Sequence, residues 1–172
     1  MSITLPTPRI WVGTWATYNE GNLYGRWVDA TQTAEEIESE VCDLLNHSPI
    51  VNDEEWYIGD HEGLGRNISE QESFERVAEI GEAVSQADDP WAFLEWLEWT
   101  DSDDLSRFEE EYRGKFDTPK DFAEEWNYEL YGEDGLGPLA PHIDWDSVWY
   151  DLKCSGFYSV RTEGGVFIFE SV

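Results

Sequence analysis

The sequence predicts an α+β protein. Runs of β-branched and aromatic residues near both ends read as strands, and the stretch between them carries apolar residues at helical spacing behind N-capping residues. A hydrophobic content of 40%, with 15% aromatics, supplies a packed core despite a formal net charge of -29.

The elements follow in order. Residues 9–15 (RIWVGTW) and 23–29 (LYGRWVD) are strand-like, and the YNEGN between them carries hairpin turn chemistry. On the first strand Ile10, Val12 and Thr14 face one way, and Trp11, Gly13 and Trp15 the other. Thr33 and Glu36 have capping-box spacing. They open a helix with the stripe Ile37, Val41, Leu44 and Leu45, and Cys42 falls beside it as a small hydrophobe. Residues 55–59 (EWYIG) complete an N-terminal ββαβ domain over residues 1–61.

Residues 62–104 form a central helical domain. Ser69 and Glu72 have capping-box spacing ahead of Phe74, Val77, Ile80, Gly81 and Val84. Asp89 and Pro90 supply an N-cap and an N1 proline for a helix with Trp91, Leu94 and Leu97. Residues 101–104 interrupt it. Residues 105–172 form a C-terminal α+β domain. Leu105, Phe108 and Tyr112 mark a short helix, and Thr118-Pro119 starts a longer one with Phe122, Ala123, Trp126 and Leu130 on one stripe. Residues 132–141 read as a Gly/Pro-rich loop and residues 144–152 as a short helix. Residues 157–161 and 166–170 form a hairpin around Glu163, Gly164 and Gly165.

Charge narrows the function. There are 39 Asp+Glu against 10 Lys+Arg. The excess is spread evenly, with a net of -9 over residues 1–61, -11 over 62–104 and -9 over 105–172. A metal cage or acidic tail would pool it in one block. Ordinary solvated helix faces mix signs for i,i+4 support. Nucleic acid and acidic membranes would be repelled, so a basic protein surface is the natural partner. A duplex carries one charge per ~1.7 Å of axis, so this net charge corresponds to about 50 Å of duplex.

Catalytic and metal signatures are missing. With so many acids, carboxylate pairs arise by chance at any spacing, so they carry no signal for a hydrolase. His47, His61 and His142 are isolated, and His61-Glu62 does not continue into H-E-x-x-H. Asp101, Asp103 and Asp104, like Asp144 and Asp146, lack the glycine and terminal Glu of a calcium loop. The expectation is a binding protein without catalytic residue, cofactor or metal. Cys42 and Cys154 are read as reduced thiols in a cytoplasm. The opening MSITLPTPRIW lacks the basic and apolar regions of a signal peptide, and no apolar run approaches the ~20 residues of a membrane span.

Two segments resemble a known family. PRIWVGTWATYNEGNLYGRWVDA, residues 8–30, is similar to the opening of ArdA antirestriction proteins through Arg9, Val12, Gly13, Thr14, Tyr18, Asn19, Gly21, Gly25 and Trp27. FEEEYRGKFDTPKDFAEEW, residues 108–126, resembles the family's antirestriction segment, and the closing IDWDSVWYDL with its hairpin also fits. Lys115 departs from the family's usual acid, and Arg113 and Lys120 nearby lower the negative potential of that segment. The resemblance implies an elongated homodimer of three small domains per chain. It also implies mimicry of B-form DNA that blocks type I restriction-modification enzymes at their methyltransferase and specificity core. The residues expected to meet that partner are acids on helix faces: Glu35, Glu38, Asp43, Glu70, Glu75, Glu79, Glu82, Glu95, Glu98, Asp103, Asp104, Glu109, Glu110, Glu124, Glu125 and Glu129. The alternative is a general acidic binder of other basic or DNA-binding proteins.

Overall fold

The computed structural model describes residues 4–172, so the reading of the opening residues as no signal peptide falls partly on residues 1–3, outside the described residues. The protein is α+β, with two three-stranded antiparallel sheets and seven α-helices among the described residues. The chain divides into two compact units, Met1–Leu105 and Ser106–Val172.

In the first unit β1 (Arg9–Thr14) is the central strand, flanked by β2 (Gly25–Asp29) and β3 (Trp56–Glu62). Ile10, Val12 and Thr14 on its inner face are fully buried, as the alternation predicts. On the other face the half-buried Trp11 ring lies across glycines on all three strands. A Cβ built at Gly13, Gly25 or Gly59 would come within 2.7, 2.5 or 2.9 Å of that ring. The glycines therefore make the slot that lets a large aromatic lie flat on the sheet.

The expected β1–β2 hairpin forms, with an unexpected helix in its connection. Strands β1 and β2 pair antiparallel, but between them runs a five-residue helix, α1 (Trp15–Asn19), before Gly21 turns the chain at φ 76°. The cause is local: the Thr14 hydroxyl accepts the Thr17 amide at 3.3 Å and meets the Thr17 hydroxyl at 2.8 Å, capping a helix where the strand pattern continued. Trp15 consequently leaves the strand alternation and stacks on Tyr57 at 4.3 Å. Strand β3 runs three residues past its predicted end, with a register shift opposite Trp11 and Val12.

Helix α2 (Ala34–Asn46) has the predicted capping box on Thr33 and Glu36, and Ile37, Val41 and Leu44 are buried. Cys42 is exposed, which corrects its placement as a packed hydrophobe: the buried stripe is narrower than the apolar spacing implied. Helix α3 (Phe74–Gln86) is capped by Ser73, whose hydroxyl accepts the Arg76 amide at 3.1 Å. The Ser69–Glu72 pair instead closes the turn before it. Gly81 lets α3 approach the Ala30 carbonyl, where a Cβ would collide. Helix α4 (Pro90–Thr100) has the predicted Asp89 cap and N1 proline, and buries Phe93, Leu94, Trp96 and Leu97.

In the second unit a short helix, α5 (Arg107–Glu111), passes directly into strand β4 (Tyr112–Phe116). The single short helix expected around Leu105, Phe108 and Tyr112 therefore ends early, and a strand was missed. Gly114 and two cations break the period of YRGKF. The sheet order is β4-β6-β5, with β5 (Phe157–Thr162) and β6 (Gly165–Glu170) forming the predicted hairpin. Val166, Phe167, Ile168 and Phe169 of central β6 are all buried. Helix α6 (Pro119–Leu136) starts on the predicted Thr118 cap, and α7 (Trp145–Cys154) on Asp144. Phe122, Ala123, Trp149, Phe157, Val166 and Ile168 form the core beneath them.

The stripe of α6 stops short of its expected end, since Leu130 is 57% exposed. The expected loop over residues 132–141 is instead ordered as a helical continuation kinked at Gly132 (φ 69°), followed by a 3-10 helix Gly137–His142. At Gly132 the backbone leaves helical geometry, with a positive φ that suits glycine, so two helical stretches meet there at a kink.

Candidate functional site: an acidic surface underlain by engaged cations

Helical spacing decides which carboxylates face out. On α2 the buried Ile37, Val41 and Leu44 leave Glu35, Glu38 and Asp43 exposed, and on α3 the buried Val77, Ile80 and Val84 leave Glu75, Glu79 and Glu82 exposed. The last three line one side of an open groove whose other side is Thr31, Gln32, Thr33 and Ala34. Glu70 is exposed on the segment whose backbone carbonyl accepts the Ile58 amide at 2.9 Å along β3. Asp103 and Asp104 are exposed after α4, as are Glu109 and Glu110 on α5 and Glu124, Glu125 and Glu129 on α6. Glu95 and Glu98 on α4 are only half-buried. Burial, then the charge of Glu98, raise the Glu95 carboxyl above its ordinary range, with Arg66 acting in the opposite direction.

Of all 39 acids, thirty are exposed, seven are half-buried and two are buried. Helix-face reasoning missed many of the exposed ones, because they sit in links and at caps: Glu54, Glu55, Asp88, Asp101, Asp117 and Asp144 among them. Cap position was the available signal. The Asp144 carboxylate accepts the Ser147 hydroxyl and the amides of Asp146 and Ser147, which hold its pKa below the ordinary value.

The buried acids are Asp53 and Glu111. Asp53 accepts the Ser48 hydroxyl at 2.6 Å. Glu111 is 1% exposed and pairs with Arg107 at 2.5 Å.

Most of the cations are turned to other uses. Arg9 pairs with Glu62 at 2.8 Å and lies 4.2 Å over the Trp27 ring. Arg26 donates to the Glu40 carbonyl and pairs with Asp43 at 3.3 Å. Arg66 pairs with Glu98 at 3.1 Å. Arg113 forks onto Glu170 at 2.5 and 3.0 Å, joining β4 to β6, and Lys115 donates to the Glu163 carbonyl at 2.8 Å across the same sheet. Two of the cations that dilute the charge of the second unit in sequence, Arg113 and Lys115, thus tie its strands together. Among the described residues no group of three or more His, Cys, Asp or Glu could hold a metal ion, and no helix is long and apolar enough to cross a membrane.

A family model described as antirestriction protein (ArdA) matches residues 10–167. The chain belongs to the ArdA antirestriction protein family. A search of curated proteins finds no match. The ArdA match starts in β1 and ends in β6, so it takes in both units. Of the two segments that carried the resemblance, the first builds β1, α1 and β2, and the second builds α5, β4 and the start of α6. In the second, Phe108 stacks on Tyr112 at 5.1 Å and Phe116 meets Phe122 at 5.2 Å, while Glu109 and Glu110 stay outside. The aromatic half of this ArdA signature serves folding, and its carboxylates, apart from the buried Glu111, are left to the surface.

Proposed function

We propose that this antirestriction protein inhibits type I restriction-modification enzymes by occupying the DNA-binding groove of their methyltransferase and specificity core as a mimic of B-form DNA. It catalyses no reaction. The observation that carries the reading is the separation of charge: most acids are exposed on both units, while six of the seven arginines are drawn into ion pairs or carbonyl contacts. A DNA groove presents Lys and Arg to phosphates. Carboxylates can fill those positions without offering bases to read or a strand to cut. The sixteen acids named from the sequence are the proposed contact set, thirteen of them on helices and Glu70, Asp103 and Asp104 in links where the sequence placed them on helix faces, and their binding is distributed. The family resemblance supports a cytoplasmic homodimer. The exposed Leu130, Tyr131, Leu139 and Tyr150 of the second unit support self-association.

The test is a titration of a purified type I methyltransferase core with this protein, with and without duplex. The expected result is saturable binding that duplex displaces and that weakens steeply with salt. Binding that duplex leaves untouched would favour a general acidic binder of basic proteins instead.

A further inference from the structure

Arg76 lies on α3 with its side chain only 18% exposed. In a chain so rich in acids it makes its closest contacts with backbone oxygens. Nη2 donates to the Ser102 carbonyl at 2.6 Å and Nη1 to the Asp103 carbonyl at 3.5 Å, while Glu79 stands 3.9 Å away. Both carbonyls belong to residues 101–104, the link that follows α4. This link is closed on itself. The buried Ser102 hydroxyl accepts the Asp104 amide at 3.2 Å and donates to the Asp104 carbonyl at 3.0 Å. Asp101 ends α4 in the left-handed region at φ 47°, and the Asn67 amide reaches its carboxylate at 3.4 Å.

We propose that Arg76 is a positioning residue for partner binding: by holding two successive carbonyls it fixes the link so that Asp101, Asp103 and Asp104 present their carboxylates outward in one arrangement. This rests on the function proposed above. Three carboxylates within four residues repel one another, and an untethered link would relax to separate them. A cation beneath the link opposes that repulsion. The planar guanidinium also supplies two N–H directions to two acceptors, which an ammonium meets less well. Carboxylates already fixed in place bind a groove without paying for their ordering at the moment of contact.

The experiment titrates the methyltransferase core with the full chain carrying Arg76→Gln or Arg76→Lys, each also in a background with Asp101, Asp103 and Asp104 changed to Asn. Charge alone predicts that Arg76→Gln, one unit more negative, binds a basic groove more tightly. Positioning predicts the opposite sign, a loss of about fivefold or more, partly restored by Arg76→Lys. In the neutralised background Arg76→Gln should cause no loss of affinity, leaving only the effect of its charge. Equal or tighter binding by Arg76→Gln overturns the inference. So does an undiminished loss in the neutralised background, which would mean general damage to the fold. If Arg76→Gln does not fold, the same cycle is run with Arg76→Lys. A wild-type chain that fails to bind the core overturns the functional reading alone. Hydrogen exchange of the Asp104 amide in the free protein then decides: faster exchange in the variant supports the inference, and unchanged exchange overturns it.

Discussion

At the residue scale, Trp11 and its three glycines define a site where volume is fixed from both sides. Alanine at Gly25 would press on the ring and on the Val12 carbonyl of the neighbouring strand. Backbone cannot yield as a side-chain tip does, so Gly25→Ala should lower unfolding free energy by about 1–3 kcal/mol in urea titration. A second residue-scale consequence concerns Tyr158. Burial, reinforced by Glu111, pushes its hydroxyl from an ordinary 10.0 up to about 12, with Arg107 opposing. The folded state then keeps a proton that the unfolded chain releases. Stability present below pH 10 is lost as the pH rises toward 12. Tyr158→Phe should flatten that alkaline loss in chemical denaturation at a series of pH values.

At the element scale the caps make a direct comparison possible. Ser69 and Ser73 both precede α3, and only Ser73 accepts an amide of the first turn. Ser73→Ala should therefore destabilise the protein by about 1 kcal/mol, and Ser69→Ala by much less, in thermal or urea unfolding. Elements were legible where a cap and an apolar period agreed: α2 on Thr33, α4 on Asp89 and α6 on Thr118. They were illegible where neighbours overrode local pattern. At α1 the override was local, a Thr14 cap closing a helix where the strand pattern continued, and β4 was recruited by a buried partner strand that its own YRGKF does not announce. The acid-face residues followed the same rule. Those on long helices could be assigned from spacing, whereas those in links depend on contacts such as Arg76 with the carbonyls of Ser102 and Asp103.

At the scale of the whole molecule, charge governs behaviour in solution. A net charge of -29 repels itself, and most of the acids responsible are exposed to solvent. Raising salt from about 20 mM to about 500 mM, which shortens the screening length several-fold, should raise the melting temperature in calorimetry. The distributed contact has its own signature. Neutralising Glu79 alone should weaken binding to the methyltransferase core by no more than about threefold, whereas Glu75, Glu79 and Glu82 changed together to Gln should weaken it by about tenfold or more. A single charge change that abolishes binding would contradict distribution along the chain.

Composition and short-range pattern, which need no tertiary partner, determined the α+β class, the main helices with most of their caps, the even spread of acids and the family resemblance. Folding decided the direction each group faces. It turned Glu111 inward while Glu109 and Glu110 stayed out, laid Trp11 over glycines from three strands, and drew Arg76 and Arg113 onto residues far along the chain. Propensity and periodicity act over a few residues, whereas these placements depend on which distant groups share a buried volume, and that is fixed only when the core closes.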